Sequence, residues 1–234
     1  MDLKREEELK KIVKDNYQAI AEDFSASRDG GMWPEIQDLL DSVPAGAKVL
    51  DLGCGSGRLL LGLKEKNLDY LGIDNSQEML AQAKARHPEN KFQVDDLETL
   101  DSLPSDYFDY VFCLAAWHYL PGSARRLKSL KRMKELLNSE GRLVISVWNL
   151  WDGKNRQAGK VKTIFSWLIS FFSGTPLDFG DRIFSWKSAA AYGSRRYYHA
   201  FRENELKRLA RSAGFSSPEI KKDPYNYWLF LKKS

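Results

Sequence analysis

The chain is expected to be an α/β protein of the doubly wound class, with a seven-stranded Rossmann-like sheet and a long insertion after the fifth strand. Three observations predict it. Residues 47–148 alternate short apolar runs with helical patterns, as successive βαβ units do. The first apolar run ends in Asp51 and passes into Gly53, Gly55 and Gly57, where strand should turn into helix. A second acid, Asp74, closes the next apolar run about twenty residues on, where a βαβ unit sets a carboxylate against ribose hydroxyls.

Composition bounds the rest. A chain of 234 residues that is 43% hydrophobic can fill one large domain, or one domain with an insertion. The longest strongly apolar run, 164–172, is interrupted by Ser166 and Ser170 and falls short of the roughly 20 residues a bilayer requires. No transmembrane helix is therefore expected. The charged first residues lack the apolar stretch of a secretory signal, and Cys54 and Cys113 lie in separate apolar runs without ligand-like spacing. A reducing cytoplasm and no metal centre are the corresponding expectations. The net charge of +4 conceals an asymmetry: residues 1–150 carry 20 Lys and Arg against 25 Asp and Glu, and residues 151–234 carry 16 against 7. The basic second part suits a polyanion such as RNA, although a charge excess by itself is equally a solvated surface.

Residues 3–24 read as a helix, with Leu9, Ile12, Val13, Tyr17 and Ile20 at helical spacing. Trp33 and Pro34 open a second helix to about Ser42, proline being suited to a first turn. Residues 47–52 form the first strand, and 58–66, after the glycines, a helix. Glycine lets main-chain N–H groups approach a ligand, and a helix start leaves donors unspent. Residues 68–74 form the second strand; a helix at 76–86, capped by Asp74, Asn75 or Ser76, carries Met79. Residues 92–97 are the third strand and its exit, ending in Asp95 and Asp96, and 105–114 the fourth. Ligands of open α/β sheets gather beyond the carboxyl ends of the strands, so Leu114, Ala115 and His118 are site candidates. A basic helix over 121–138 is expected to end at the breaker Gly141, and the fifth strand, 142–148, alternates Leu143, Ile145 and Val147. Residues 149–200 interrupt the pattern, with a short apolar helix at 163–172 that seals an acceptor pocket or lies on a membrane surface. A helix at 203–213, the breaker Gly214 and strands at 218–221 and 226–232 complete the core.

The motif Asp51-x-Gly53-x-Gly55-x-Gly57 is tighter by one residue than the dinucleotide pattern. It resembles the first motif of class I S-adenosylmethionine (SAM) methyltransferases. That resemblance implies SAM as cofactor, S-adenosylhomocysteine as product, and a glycine loop under the methionine and ribose. It places Asp74 and Asn75 at the ribose, Met79 at the adenine, Asp96 near the adenine amine and Leu97 beside it. Tyr17 to Arg28 resembles the Tyr-x-x-Ile-Ala-x-x-Phe-x-x-x-Arg segment that covers cofactor and substrate in several such families.

Two further stretches narrow the resemblance. Ile145-Ser146-Val147-Trp148, then Phe184-Ser185-Trp186 and Arg196-Tyr197-Tyr198-His199-Ala200-Phe201-Arg202-Glu203-Asn204-Glu205-Leu206, are similar to the tRNA wobble-uridine carboxymethyl methyltransferases. Ser185 stands where that family has proline, and Asn149-Leu150-Trp151 replaces its polar residues. The resemblance implies methyl transfer to the carboxylate of a carboxymethyluridine in tRNA. Arg28 or Arg196 would hold a carboxylate or phosphate, His118 and His199 would hydrogen-bond the acceptor, and Trp148 or Tyr198 would stack on its base. In eukaryotes the family works with a small zinc-binding activator protein. The implied division is a helical cover at 1–42, a SAM-binding core at 43–148, an acceptor-side insertion at 149–200 and completing elements at 201–234. A small-molecule O- or N-methyltransferase, and a non-catalytic SAM- or RNA-binding protein, are the competing readings.

Overall fold

The computed structural model describes residues 1–19, 21, 32–63, 66–151, 167–168, 170, 177–185 and 195–233. The chain opens with helix α1 (Leu3–Ala19) and, after Trp33, α2 (Pro34–Ser42). Strand β1 (Lys48–Leu52) pairs in parallel with β2 (Asp69–Asp74), and α3 (Gln77–Arg86) leads to β3 (Lys91–Val94), parallel to β2. β4 (Phe108–Leu114) returns to the other side of β1, and after α4 (Ser123–Leu136) β5 (Leu137–Trp148) pairs in parallel with β4. A ribbon of β6 (Asp181–Ser185) and β7 (Arg195–His199) precedes α5 (Glu203–Ser212), β8 (Glu219–Lys222) and β9 (Asn226–Lys232). The main sheet has seven strands in the order β3-β2-β1-β4-β5-β9-β8, antiparallel only at β9 and β8. Strand order reverses between β1 and β4, which opens a crevice at their carboxyl ends.

Helices cover both faces, so the central strands are apolar on both. Along β1, Leu50 and Leu52 join Leu143, Ile145, Leu130 of α4 and Leu206 of α5, whereas Val49 turns to Val144, Trp228, Ile36 of α2 and Ala83 of α3. Each fully buried aliphatic side chain contributes about 1.5–3 kcal/mol.

Three local expectations are corrected. Residues 58–66 do not form an α-helix over their described part: Arg58–Leu61 is a single 3-10 turn after Gly57. The packing allows little more, because a Cβ on Gly62 would lie 2.6 Å from Leu40 and 2.7 Å from Met32. Gly141 does not end α4, which stops at Leu136; β5 begins at once and runs through the glycine. A side chain there would meet the Phe108 carbonyl at 2.9 Å, so Gly141 permits close strand approach where the β4–β5 register shifts. The insertion contains the β6–β7 ribbon, to which the sequence reading gave no strand. Residues 20 and 22–24 of the first helix and most of the apolar helix at 163–172 lie outside the described residues, although Trp167, Leu168 and Ser170 are helical.

Candidate functional site

The glycine turn makes room more than it offers donors. The Gly53 and Cys54 N–H groups donate to the Ile73 carbonyl at 2.7 and 2.9 Å, and Gly55 N–H donates to Asp74 Oδ2 at 3.0 Å. The loop is thereby strapped to β2, with those donors spent. Gly53 has φ +69°, and a Cβ on it would lie 2.4 Å from that of Ala116. Ala115 itself is left-handed at φ 53°, held by its N–H on the carbonyl (3.0 Å) and hydroxyl (2.9 Å) of Ser146. Such strain persists only where surroundings enforce it. Ser146 was absent from the sequence candidates, and a serine inside an apolar strand was the one signal for it.

Beyond this turn lies a cavity of about 520 Å³, within the usual size of small-molecule sites. Asp51, Gly53, Gly55, Asp74, Asn75, Met79, Asp96, Leu97, Leu114 and Ala115 line it. Gly57 does not; its missing side chain leaves space for His87, 2.8 Å from where a Cβ would stand. Burial pushes the Asp51 carboxyl up to about 7, against the hydrogen bond from Tyr70 and with help from the charge of Asp74. Asp74 is also raised by burial, opposed by N–H groups of Ser76, Gly55 and Asn75. Ser76 is the α3 cap, its hydroxyl accepting from Met79 N–H at 3.2 Å.

α1 roofs the cavity. Lys10 reaches Asp96 at 2.8 Å and Glu98 at 2.7 Å, and Arg125 binds Glu6 at 2.6 Å and Glu7 at 2.7 Å as well as Glu98. Although burial raises them, Asp96 and Glu98 are held below the usual carboxylate range by the Lys10 hydrogen bonds. Tyr17 hydroxyl hydrogen-bonds Tyr119, and the Asn16 amide donates to the Arg195 carbonyl.

Beside the cavity lies a box of aromatic side chains. Trp148 stacks on Tyr198 with centroids 4.7 Å apart, Tyr119 lies 4.8 Å from Tyr198, and His118 contacts all three rings at 4.4–5.3 Å. Trp148 and Tyr119 also line the cavity, whereas Tyr198, expected at the acceptor, is fully buried behind them and does not. Alternation along β7 sends Arg196 to the face of Tyr198, its guanidinium 5.4 Å from that ring, and Arg182 lies opposite Tyr198 in the ribbon. Arg182 was missed, because nothing in the sequence paired residues 182 and 198; burial lowers its guanidinium to about 10.

Two histidine expectations change. His118, expected at the opening, is fully buried and absent from the cavity lining, because the short 3-10 turn Trp117–Tyr119 packs it behind Tyr119. Among the described residues neither ring nitrogen has a hydrogen bond, and burial lowers it to about 3, with Arg196 and His199 adding to the effect, so the ring is neutral. His199 faces away from the box. Its Nδ1 contacts Asp181 at 2.7 Å and its Nε2 contacts Glu205 at 2.9 Å, while Tyr197 hydroxyl donates to Asp181 at 2.7 Å and Arg126 lies 3.9 Å from it. This buried network fastens the ribbon to α4 and α5. Arg28 lies outside the described residues.

The residues suit a nucleoside cofactor: apolar Met79 and Leu97 flank a space edged by the carboxylates of Asp74 and Asp96. Among the described residues no three His, Cys, Asp or Glu side chains gather as a metal set, and no helix is long and apolar enough to cross a membrane.

Comparison with known proteins follows the same lines. A family signature described as a methyltransferase domain matches residues 50–145. A tRNA (carboxymethyluridine(34)-5-O)-methyltransferase of Schizosaccharomyces pombe is 26% identical over 226 residues, 93% of this chain and 94% of that protein. The tRNA (carboxymethyluridine(34)-5-O)-methyltransferase ALKBH8 of Mus musculus is 32% identical over 64% of this chain, which covers only 22% of that longer protein. Among solved structures, a SAM-dependent methyltransferase from Methanosarcina mazei shares the fold with a TM-score of 0.67 at 19% identity, over 87% of this chain and 99% of that one.

Proposed function

The chain is a class I SAM-dependent methyltransferase, and on that premise we propose that it methylates the carboxylate of a carboxymethyl-modified wobble uridine in tRNA. The observation that carries this reading is the aromatic cluster that borders the cavity through Trp148 and Tyr119, with Arg196 on the Tyr198 ring behind them. Asp74, Asn75, Asp96, Leu97 and Met79 would hold SAM. Bound there, SAM supplies a methyl group on a sulfonium and leaves as S-adenosylhomocysteine.

The acceptor chemistry asks little of an acid or base. A carboxylate is ionised near neutral pH, so its oxygen donates an electron pair to the methyl carbon without first losing a proton. The chain's work is to position the acceptor and exclude water. Trp148, backed by the buried ring of Tyr198, stacks on a pyrimidine turned out of the anticodon loop, as RNA readers use aromatic faces. Arg196, with Arg182 across the ribbon, holds the acceptor carboxylate through planar donors. His118 stays neutral behind Tyr119 and backs the box as a flat ring.

The same reading assigns the protein to the cytoplasm. It also allows for a small zinc-binding activator, tested by whether adding such a protein stimulates the purified chain. The primary test incubates the protein with radiolabelled SAM and tRNA from cells lacking the wobble methyl ester. Label in tRNA released by mild base supports the reading, whereas label confined to a metabolite extract overturns the tRNA assignment and keeps the methyltransferase.

A further inference from the structure

Past the aromatic box the structure holds a second cluster of flat side chains. The Arg202 guanidinium lies 4.5 Å from the Trp151 ring centroid and 4.4 Å from that of Phe179, and the two rings stack 5.7 Å apart at 20°. Trp151 is fixed by its Nε1–H on the Ala200 carbonyl at 2.8 Å, and the edge of Trp167 packs against Phe179. The cluster adjoins the acceptor box, since Trp151 packs against the group formed by Leu150, Tyr198 and Ala200, where Trp148 and Tyr119 also pack.

Three features set it apart from ordinary packing. Phe179 keeps 40% of its surface exposed although it is large and apolar. The Arg202 side chain caps nothing at the start of α5 and, among the described residues, spends no donor on a hydrogen bond or ion pair. The part of the chain that carries both residues, 151–234, holds 16 Lys and Arg against 7 Asp and Glu.

We propose that Arg202, Phe179 and Trp151 form an RNA subsite for the nucleotide next to the one being methylated. This rests on the tRNA reading above. A base turned into the box leaves its neighbour unstacked, with a π-face and a phosphate to satisfy. The exposed part of Phe179 takes that base, and the planar guanidinium, pre-oriented on two rings, takes the phosphate.

The test uses the full chain, an anticodon stem-loop RNA carrying carboxymethyluridine at the wobble position, and the variants Arg202→Ala, Arg202→Lys and Phe179→Ala. Arg202→Ala and Phe179→Ala should each raise the Kd and the KM for RNA by about tenfold, the scale of one lost base or phosphate contact, with kcat and the SAM Kd within about twofold. Arg202→Lys should recover the salt dependence of binding but not the affinity. An abasic site beside the wobble position should weaken the unmodified protein and leave Phe179→Ala unaffected. Unchanged RNA affinity in both alanine variants, while the parent protein binds and methylates, overturns the subsite and spares the tRNA reading. A fall of kcat and melting temperature in step with RNA affinity makes the cluster a packing element and also overturns it. Failure of the parent chain to bind the RNA removes the tRNA reading and the subsite together.

Discussion

On the proposed reading, the cofactor half and the acceptor half of this protein are built from different materials. The cofactor half uses main chain and carboxylates: a glycine turn tied to β2, Asp51, Asp74 and Asp96, all within one run of βαβ units. The acceptor half uses side chains from distant segments, with Tyr119 from the end of β4, Trp148 from the end of β5, and Arg182 and Tyr198 from a separate ribbon. A binding surface made of backbone tolerates few substitutions at its turns, whereas one made of side chains can be re-equipped residue by residue. That division lets one cofactor site serve many acceptors.

Four experiments bear on this contrast. The largest effect should come from cutting the ribbon loose. Asp181→Ala leaves His199, Arg126 and the Tyr197 hydroxyl without their shared buried acceptor, and should cost about 3–5 kcal/mol of unfolding free energy in urea titration. A loss below about 1 kcal/mol would mean that the ribbon is not fastened by this network. Next, Gly53→Ala forces a methyl group onto Ala116 in a left-handed backbone. Overpacking of about 1–3 kcal/mol plus about 1 kcal/mol of backbone strain should raise the SAM Kd about 100-fold by calorimetry, with RNA affinity unchanged. Tyr198→Ala should do the converse, raising the KM for tRNA about tenfold or more while the SAM Kd stays put. If either variant damages both ligands equally, the halves are not separable.

The smallest effect is a pH dependence confined to the cofactor half. The folded Asp51 carboxyl is raised to about 7, above its unfolded value, so the native state holds the extra proton. The stability it contributes is fully present below about pH 4 and is lost as pH rises through about 7. The melting temperature of the parent relative to that of Asp51→Asn should therefore fall over that interval; parallel curves for parent and variant would clear Asp51. His118 has the opposite slope, since burial lowers its folded ring to about 3 while the unfolded imidazole keeps its proton up to about 6.5; that rise in stability with pH is common to parent and variant and cancels in the comparison.

The contrast also explains what could be read in advance. Gly53, Asp74 and the strand-helix alternation are local signals, and they anticipated the sheet and the residues that line the cavity at its carboxyl ends. The role of the glycines was less legible, because a sequence shows that Gly53 lacks a side chain but not that Ala116 stands 2.4 Å from where one would be. Gly141 was misplaced for a related reason: a glycine after a basic helix usually ends it, and only the pairing of Leu137 with Phe108 shows that the strand has already begun. On the acceptor side, Tyr198 and His199 are neighbours in sequence but face opposite sides of β7, so one enters the box and the other a buried ion network. Period-two alternation would have separated them had the segment been taken for a strand.

α1 touches both halves at once. Its Lys10 is fixed on Asp96 and Glu98 at the cofactor mouth, while Asn16 and Tyr17 are fixed on Arg195 and Tyr119 at the acceptor wall. Seventeen helical residues make a rod of about 25 Å. A rod seated at both ends serves two doorways with one leaf. A displacement of the whole rod would break its contacts at the cavity mouth and at the aromatic wall together.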